Sequence, residues 1–93
     1  MKKPKRKTQM TSLIAFADIL ESLGERQREV YKIIRKHQPI NNTRISEIAN
    51  LPINSIVPRT NELRKKGVVR LHHRAICPIT GKLTMFWRCS RRL

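Results

Sequence analysis

Residues 45–71 read ISEIANLPINSIVPRTNELRKKGVVRL, and the order of elements in this stretch indicates the fold class. The spacing of its apolar residues predicts a two-turn helix, a tight turn at residues 50–52 and a second helix. Gly67 should end the second helix, because glycine readily adopts the left-handed conformation that terminates helices. A strand is predicted to begin at Val68. The stretch therefore predicts two helices joined by a tight turn and followed directly by a sheet.

The first helix of this pair is predicted to begin at Asn42 or Thr43, whose side chains are suitable N-caps. Its inward face is predicted to consist of Ile45, Ile48 and Ala49.

The second helix is predicted over residues 54–66, with Asn54 as its N-cap and Ser55 as the competing choice. Pro58 would lie in the first turn or just past it, where a missing amide proton is tolerated. The residues spaced for burial are Ile56, Thr60 and Leu63.

The segments on either side add two helices before the pair and a hairpin after it. Thr11 should cap a helix that starts at Ser12 and stops at Gly24, and a second amphipathic helix should run from Glu25 to His37. This second helix should bury Val30, Ile33 and Ile34, with Tyr31 at the edge. Ile40 can form a very short strand. The hairpin is predicted from strands Val68–Ile76 and Leu83–Arg88, with Thr80 and Gly81 at the tip, Cys77 opposite Thr84, and Cys89 opposite His72.

Positive charge dominates the composition. The 93 residues hold 21 Lys plus Arg against 6 Asp plus Glu, for a formal net charge of +15. Five basic residues lie within Met1–Thr8, and Glu62 is the only acid between Asn50 and Leu93, against ten bases. Such an imbalance opposes compaction unless a polyanion neutralises it. Nucleic acid is therefore the predicted partner, with counterion release supplying binding free energy.

Several other classes of protein are disfavoured. No apolar run approaches the roughly 20 residues of a membrane span, and Asp18 interrupts the apolar stretch that would have to serve as a signal peptide. The expected location is the cytoplasm, at the nucleoid, or the nucleus if the source is eukaryotic or a eukaryotic virus. The sequence has no glycine-rich phosphate loop, no nucleophile beside a base and no acidic pair suited to a nuclease. We therefore do not expect an enzyme.

One cluster of His and Cys residues could suggest zinc. A structural zinc ion needs four converging ligands, whereas the adjacent His72 and His73 should point to opposite faces of a strand. The predicted register also separates Cys77 from Cys89, which argues against a disulfide. The sequence therefore predicts no metal and no cofactor, and the two cysteines are expected to be small, semi-buried fillers.

Helix, helix, short helix, exposed helix and terminal hairpin follow one another over about Ser12 to Cys89. The supporting strings are Leu23-Gly24-Glu25-Arg26-Gln27, Pro52-Ile53-Asn54-Ser55, Pro58-Arg59, Asn61-Glu62-Leu63-Arg64-Lys65-Lys66-Gly67-Val68-Val69 and Cys77-Pro78-Ile79-Thr80-Gly81-Lys82. On these strings, taken in this order, the chain resembles the winged helix-turn-helix superfamily, especially small basic winged-helix proteins of phages and mobile elements. The resemblance implies a mainly α (α+β) fold, with a helical core and a C-terminal two-stranded β-hairpin wing. The winged-helix DNA-binding domain would span residues 11–93, preceded by a disordered basic arm over residues 1–10.

The resemblance also implies that the helix from Asn54 to Lys66 enters the major groove of DNA. Arg59 and Asn54 are the first candidates for base contact, because Arg can read guanine and Asn can read adenine bidentately. Two alternatives stay open: Asn54 as a pure helix cap, and Arg59 in an i,i+3 ion pair with Glu62. The full set of candidates on this helix is Asn54, Ser55, Pro58, Arg59, Asn61 and Lys65.

The hairpin wing is implied to touch the flanking backbone or the minor groove. The candidate contacts there are Arg74, Thr80 and Lys82. The candidates in the N-terminal arm, which would either lie in a minor groove or only add non-specific affinity, are Lys3, Lys5, Arg6 and Lys7. Trp87 is predicted to fill the core under the wing and Phe86 to be a surface contact. With so few exposed aromatic residues, double-stranded DNA is favoured over single-stranded RNA.

Three functions compete on these grounds. The first is a sequence-specific transcriptional regulator that binds double-stranded DNA. The second is an accessory DNA binder in replication, recombination or packaging, with little sequence specificity. The third is a module that docks on a host protein. Monomer and homodimer both stay open.

Overall fold

The computed structural model describes residues 16–90, in which helices pack on one face of a three-stranded antiparallel sheet. The helices are α1, which includes residues 16–22, α2 (Glu25–His37), α3 (Asn42–Ala49) and α4 (Ile53–Lys65). The strands are β1 (Ile40–Asn41), β2 (Val69–Ile76) and β3 (Leu83–Cys89), in the sheet order β1-β3-β2. The predicted order of elements is confirmed. The predicted arm over residues 1–10 and the predicted helix start at Thr11 and Ser12 lie outside the described residues.

The core lies between the helices and the inner face of the sheet. The predicted inward face of α4 is confirmed, since Ile56, Thr60 and Leu63 are fully buried, and Ile45 of α3 is buried with them. In α2 the prediction was wrong in one detail, because Tyr31 is buried and Ile33 is only partly so. The core residues contributed by the strands are Ile40, Val69, Trp87 and Cys89.

Asn41 joins β1 to α3 and caps the helix. Its side-chain oxygen accepts a hydrogen bond from the backbone amide of Arg44 (3.0 Å), and its amide nitrogen donates to the Thr84 hydroxyl of β3 (3.1 Å). The predicted caps Asn42 and Thr43 were wrong, because the strand runs directly into the helix and Asn41 is its last extended residue. The side chain is 2% exposed, so the cap is part of the packed interior.

We expect Asn41→Ala to lower the free energy of unfolding by about 1–3 kcal/mol, since it removes a helix cap and a hydrogen-bond partner of the partly buried Thr84 hydroxyl. Urea unfolding followed by far-UV circular dichroism measures this change. Asn54→Ala is the matched control, because Asn54 is exposed in the first turn of α4 and caps nothing. Its effect should stay within about 0.5 kcal/mol. Equal losses for the two variants would contradict the assignment of the cap.

α4 begins at Ile53, one residue earlier than predicted. Pro52 is the N-cap, with φ −65° and ψ 149°, and it makes no side-chain capping bond. The predicted caps Asn54 and Ser55 were wrong, because the chain turns into the helix immediately after Pro52 and both residues already lie in the first turn. Pro58 lies just past that turn and cannot donate a hydrogen bond to the carbonyl of Asn54.

The end of α4 is a Schellman motif centred on Gly67. Gly67 has φ +82°, its amide donates to the carbonyl of Arg64 (3.0 Å), and the Val68 amide donates to the carbonyl of Leu63 (3.2 Å). Val68 and Leu63 are both fully buried. The predicted role of Gly67 as the helix stop is confirmed, although the strand that follows begins at Val69 rather than Val68.

The register of the hairpin differs from the prediction. Thr84 pairs with Ala75 rather than Cys77, Cys89 pairs with Val69 rather than His72, and β3 continues to Cys89 rather than stopping at Arg88. One cause is the turn, in which the Cys77 amide donates to the carbonyl of Lys82 (2.8 Å), so that four residues rather than two form the loop. The other is a bulge between Leu71 and His73, which inserts one extra residue into β2.

Candidate nucleic-acid interface

α4 presents one line of exposed side chains to solvent. At about 3.6 residues per turn, Asn54, Pro58, Asn61 and Lys65 fall along one side of the helix, opposite the buried Ile56. All four are exposed, and we refer to them as the α4 outer stripe. The stripe offers two amides and one cation and contains no acid. It therefore brings together four of the six candidates predicted on this helix.

Arg59 does not belong to this stripe. Its Nη2 lies 3.0 Å from Oε2 of Glu62, and the Arg59 side chain is only 32% exposed. Oε1 of Glu62 accepts a second hydrogen bond from the Gln27 side chain of α2 (2.8 Å), so this side of α4 faces α2. The i,i+3 ion pair, one of the two alternative roles for Arg59, is present. Ser55, which is half-buried, lies on the same side of the helix.

The other edge of the stripe carries two apolar residues that sequence reasoning missed. Ile53 and Val57 are 39% and 38% exposed. Their four-residue spacing, displaced from the buried line of α4, was the available signal. Apolar side chains in a major groove can contact the methyl group of thymine. Farther along this edge, the guanidinium of Arg64 lies 5.4 Å from the centre of the Trp87 ring and so faces the sheet.

The wing candidates lie at or near the free end of the hairpin. Arg74, Thr80 and Lys82 are all exposed. The Thr80 hydroxyl accepts a hydrogen bond from the Lys82 amide (3.3 Å), which orders the turn. Charge-based reasoning missed the exposed Ile76 and Leu83 beside them. The arm candidates lie outside the described residues.

The turn of the wing holds the thiol of Cys77. The pKa of the Cys77 thiol is lowered from 9.0 to about 7, and the largest cause is a hydrogen bond from the Thr80 backbone. Burial raises the pKa and so opposes this shift, whereas hydrogen bonds from the Asn41 side chain and the Ile79 backbone lower it further. The side chain is fully buried rather than semi-buried as predicted.

His72 and His73 lie side by side rather than on opposite faces of the strand. Their Nδ1 atoms are 2.6 Å apart and the ring of His73 stacks on Phe86, with centroids 4.7 Å apart. The predicted opposite orientation was wrong, because the bulge in β2 interrupts the alternation of side chains. Cys77 and Cys89 are not joined in a disulfide. Within residues 16–90, no group of three or more His, Cys, Asp and Glu side chains is arranged to hold a metal ion.

Among the same residues, no helix combines the length and the apolar character needed to cross a membrane.

Comparison with solved structures identifies the fold. No protein-family model and no curated protein matches this chain. Streptococcus pneumoniae FabT in complex with DNA superposes with a TM-score of 0.59 at 9% identity, over 97% of this chain and 65% of that one. The PcaV transcriptional regulator from Streptomyces coelicolor, in complex with its natural ligand, gives a TM-score of 0.58 at 15% identity, over 92% of this chain and 59% of that one.

The transcriptional regulator PA4135 gives a TM-score of 0.57 at 17% identity, over 97% of this chain and 65% of that one. This chain therefore spans between 59% and 65% of the length of the three structures. Its α3, the turn at residues 50–52 and α4 correspond to a helix-turn-helix, and β2 and β3 form a wing. The chain has the winged helix-turn-helix fold, α+β in class, with the wing at its C-terminal end.

Proposed function

We propose that this chain binds double-stranded DNA as a sequence-specific regulator of transcription, with α4 in the major groove and the wing on the flanking DNA. The observation that carries the proposal is the α4 outer stripe. Asn54 and Asn61 each offer an amide that can read an adenine edge, and Lys65 lies where a cation can contact a phosphate. The FabT structure, which has the same fold, was determined in complex with DNA.

The charges of residues 50–93 also favour DNA as the partner. Glu62 is the only acid after residue 49, and both of its carboxylate oxygens are engaged, one by Arg59 and one by Gln27. The exposed surface of α4 and the wing therefore offers cations and amides to a polyanion. Counterion release from the duplex then contributes to binding.

One observation favours the second function, an accessory DNA binder with little specificity. Arg59, the side chain best suited to read guanine, is held by Glu62 on the side of α4 that faces α2. A half-exposed pair of this kind contributes at most about 1 kcal/mol, so contact with DNA can break it. Competition binding at physiological salt separates the two functions. A preference above about 10³-fold supports the regulator, and one below about tenfold supports the accessory binder.

A random-pool selection of binding sites followed by Asn61→Ala tests the reading face. We expect this variant to bind the selected site more weakly by about 1–3 kcal/mol, because a bidentate contact to a base is lost. Binding to an unrelated duplex should change little. Arg59→Ala is measured in parallel, and loss of site preference would show that Arg59 leaves Glu62 to read a base. If Asn61→Ala weakens binding to the selected site and to the unrelated duplex equally, the α4 outer stripe does not read the DNA sequence.

Arg26→Ala is the matched control for Arg59→Ala. Arg26 also pairs with a glutamate three residues later, at 3.0 Å, but it belongs to α2. The same substitution there should leave site preference unchanged.

Oligomeric state and partner class need separate measurements. Sedimentation of the free chain and of its complex with the selected duplex distinguishes a monomer from a homodimer. Absence of binding to any duplex at low salt would favour docking on a host protein. Catalysis is no part of this proposal. A phage or mobile-element source and a location in the cytoplasm or nucleus stay predictions.

A further inference from the structure

The free end of the wing is apolar as well as basic. Ile76, Ile79 and Leu83 are 61%, 49% and 65% exposed, the highest values among the large apolar side chains described. One exposed aliphatic residue is ordinary on any protein surface. Three within eight residues form an apolar patch around the tip of the hairpin, and exposed apolar patches often mark binding surfaces.

Pairing within the hairpin places Ile76 and Leu83 on the helix side of the sheet, whereas Ile79, in the turn, lines a cavity with Phe86 on the other face, so the tip is apolar on both sides. Ile76 pairs directly with Leu83, and Arg74 pairs with Met85. Leu83, Met85 and the buried Trp87 alternate along β3 and so share one face, which the helices cover at Trp87. At the tip the same face emerges beyond the helices, and an open cavity of about 400 Å³ separates it from the first turn of α3.

The charges around the patch select its partner. Arg74 and Lys82 flank it, and no acid follows Glu62 in the chain. A second copy of the chain would bring the same cations against them, which opposes self-association through the tip. The minor groove of a duplex instead offers apolar sugar walls between two rows of phosphates. That combination complements an aliphatic tip bordered by cations.

We propose that the wing tip inserts Ile79 and the Ile76–Leu83 pair into the minor groove and bends the duplex, while Arg74 and Lys82 contact the adjacent phosphates. Apolar wedges of this kind partly unstack base steps and kink DNA by about 20–90°. The inference rests on the proposed function and deepens it, because the wing then deforms DNA rather than only clamping its backbone. Flexible pyrimidine–purine steps would be preferred beneath the tip, which adds specificity without base hydrogen bonds.

Bending assays on the full chain test this role. The duplex from the site selection carries a donor and an acceptor dye at its ends, and the bend is measured by energy transfer at saturating protein. We expect a bend of about 20° or more with the unmodified chain. Ile79→Ser, and Ile76→Thr combined with Leu83→Thr, should return the duplex nearly to its free shape. Threonine is chosen for the strand positions because it favours β-structure, and circular dichroism verifies folding.

Two further variants separate apolar insertion from charge. Ile79→Val keeps an aliphatic side chain and should retain the bend. Lys82→Ala removes a phosphate contact, so it should weaken binding but leave the bend of the saturated complex unchanged. If Lys82→Ala straightens the duplex and Ile79→Ser does not, the cations alone carry the role of the wing and the proposal is wrong.

Other outcomes also overturn the proposal. A straight duplex in the complex with the unmodified chain would exclude bending. A change in the sedimentation of the free protein on Ile79→Ser, with the bend unaltered, would identify the tip as a contact between copies. Failure of the unmodified chain to bind any duplex at low salt would remove the proposed function itself. If the chain binds a duplex without bending it, the proposed DNA-binding function stands and only the insertion of the wing tip is excluded.

Discussion

Trp87→Ala is expected to lower the free energy of unfolding by about 3–5 kcal/mol, the usual cost of emptying a buried aromatic site. The Trp87 side chain is fully buried, and its indole nitrogen donates to the side-chain oxygen of Asn42 at 3.0 Å. Trp87 pairs with Ile40 of β1 and Leu71 of β2, so it connects all three strands. Because small domains have about 5–15 kcal/mol of total stability, this loss is a large part of the whole.

Urea unfolding followed by far-UV circular dichroism measures the effect, since Trp87 is the only tryptophan and its fluorescence disappears in the variant. Trp87→Phe keeps most of the apolar volume and loses the hydrogen bond, so it should lower the free energy of unfolding clearly less than Trp87→Ala does. Phe86→Ala is the neighbouring control. Phe86 lies on the opposite face, half-buried against His73. A loss for Phe86→Ala equal to that for Trp87→Ala would show that the core is assigned to the wrong face of β3.

Duplex affinity is expected to fall by about 10³-fold or more between 50 and 200 mM salt. The physical reason is counterion release, since a protein that neutralises about six to ten phosphates loses about 10³–10⁵ in affinity over that range. The chain has a net charge of +15, and ten of its bases follow residue 49. Fluorescence anisotropy on one duplex at several salt concentrations gives the slope of log affinity against log salt.

Substitutions measure how much individual residues contribute to this slope of log affinity against log salt. Lys82→Ala should reduce it by about one, as expected for a single phosphate contact. Arg26→Ala should leave it unchanged, because Arg26 lies on α2 in an ion pair with Glu29. A slope near zero for the unmodified chain would mean that phosphate contacts do not drive binding, and it would favour a protein partner.

Much of the fold could be predicted because its signals are local. The inward positions Ile56, Thr60 and Leu63 follow from helical spacing, and all three are fully buried. Gly67 was identified as a helix stop from its chemistry alone, and it has φ +82°. The start of α4 was misplaced by one residue because Asn54 has a strong preference for caps, whereas Pro52 already directs the chain into the helix.

The candidate site was predictable in part for the same reason. The exposure of Asn54, Pro58, Asn61 and Lys65 follows once Ile56 and Leu63 are placed inside, since helical geometry then determines the opposite face. The apolar wing tip was missed because an exposed aliphatic residue has no signal in sequence until the partner strand is known. Which candidates contact DNA stays a prediction.

Residues close together in the chain thus specify the helices, their buried faces, the glycine stop and the basic character of the C-terminal half. Contacts between distant residues decide the rest. Helical spacing places Arg59 beside the outer stripe rather than on it, but its ion pair is held against α2 because Glu62 also accepts a hydrogen bond from Gln27, 35 residues earlier in the chain. His72 and His73 lie together because β2 must bulge to keep both Val69 and Ile76 paired with β3. Local propensity carries no information about either constraint, since both arise only when separate elements pack.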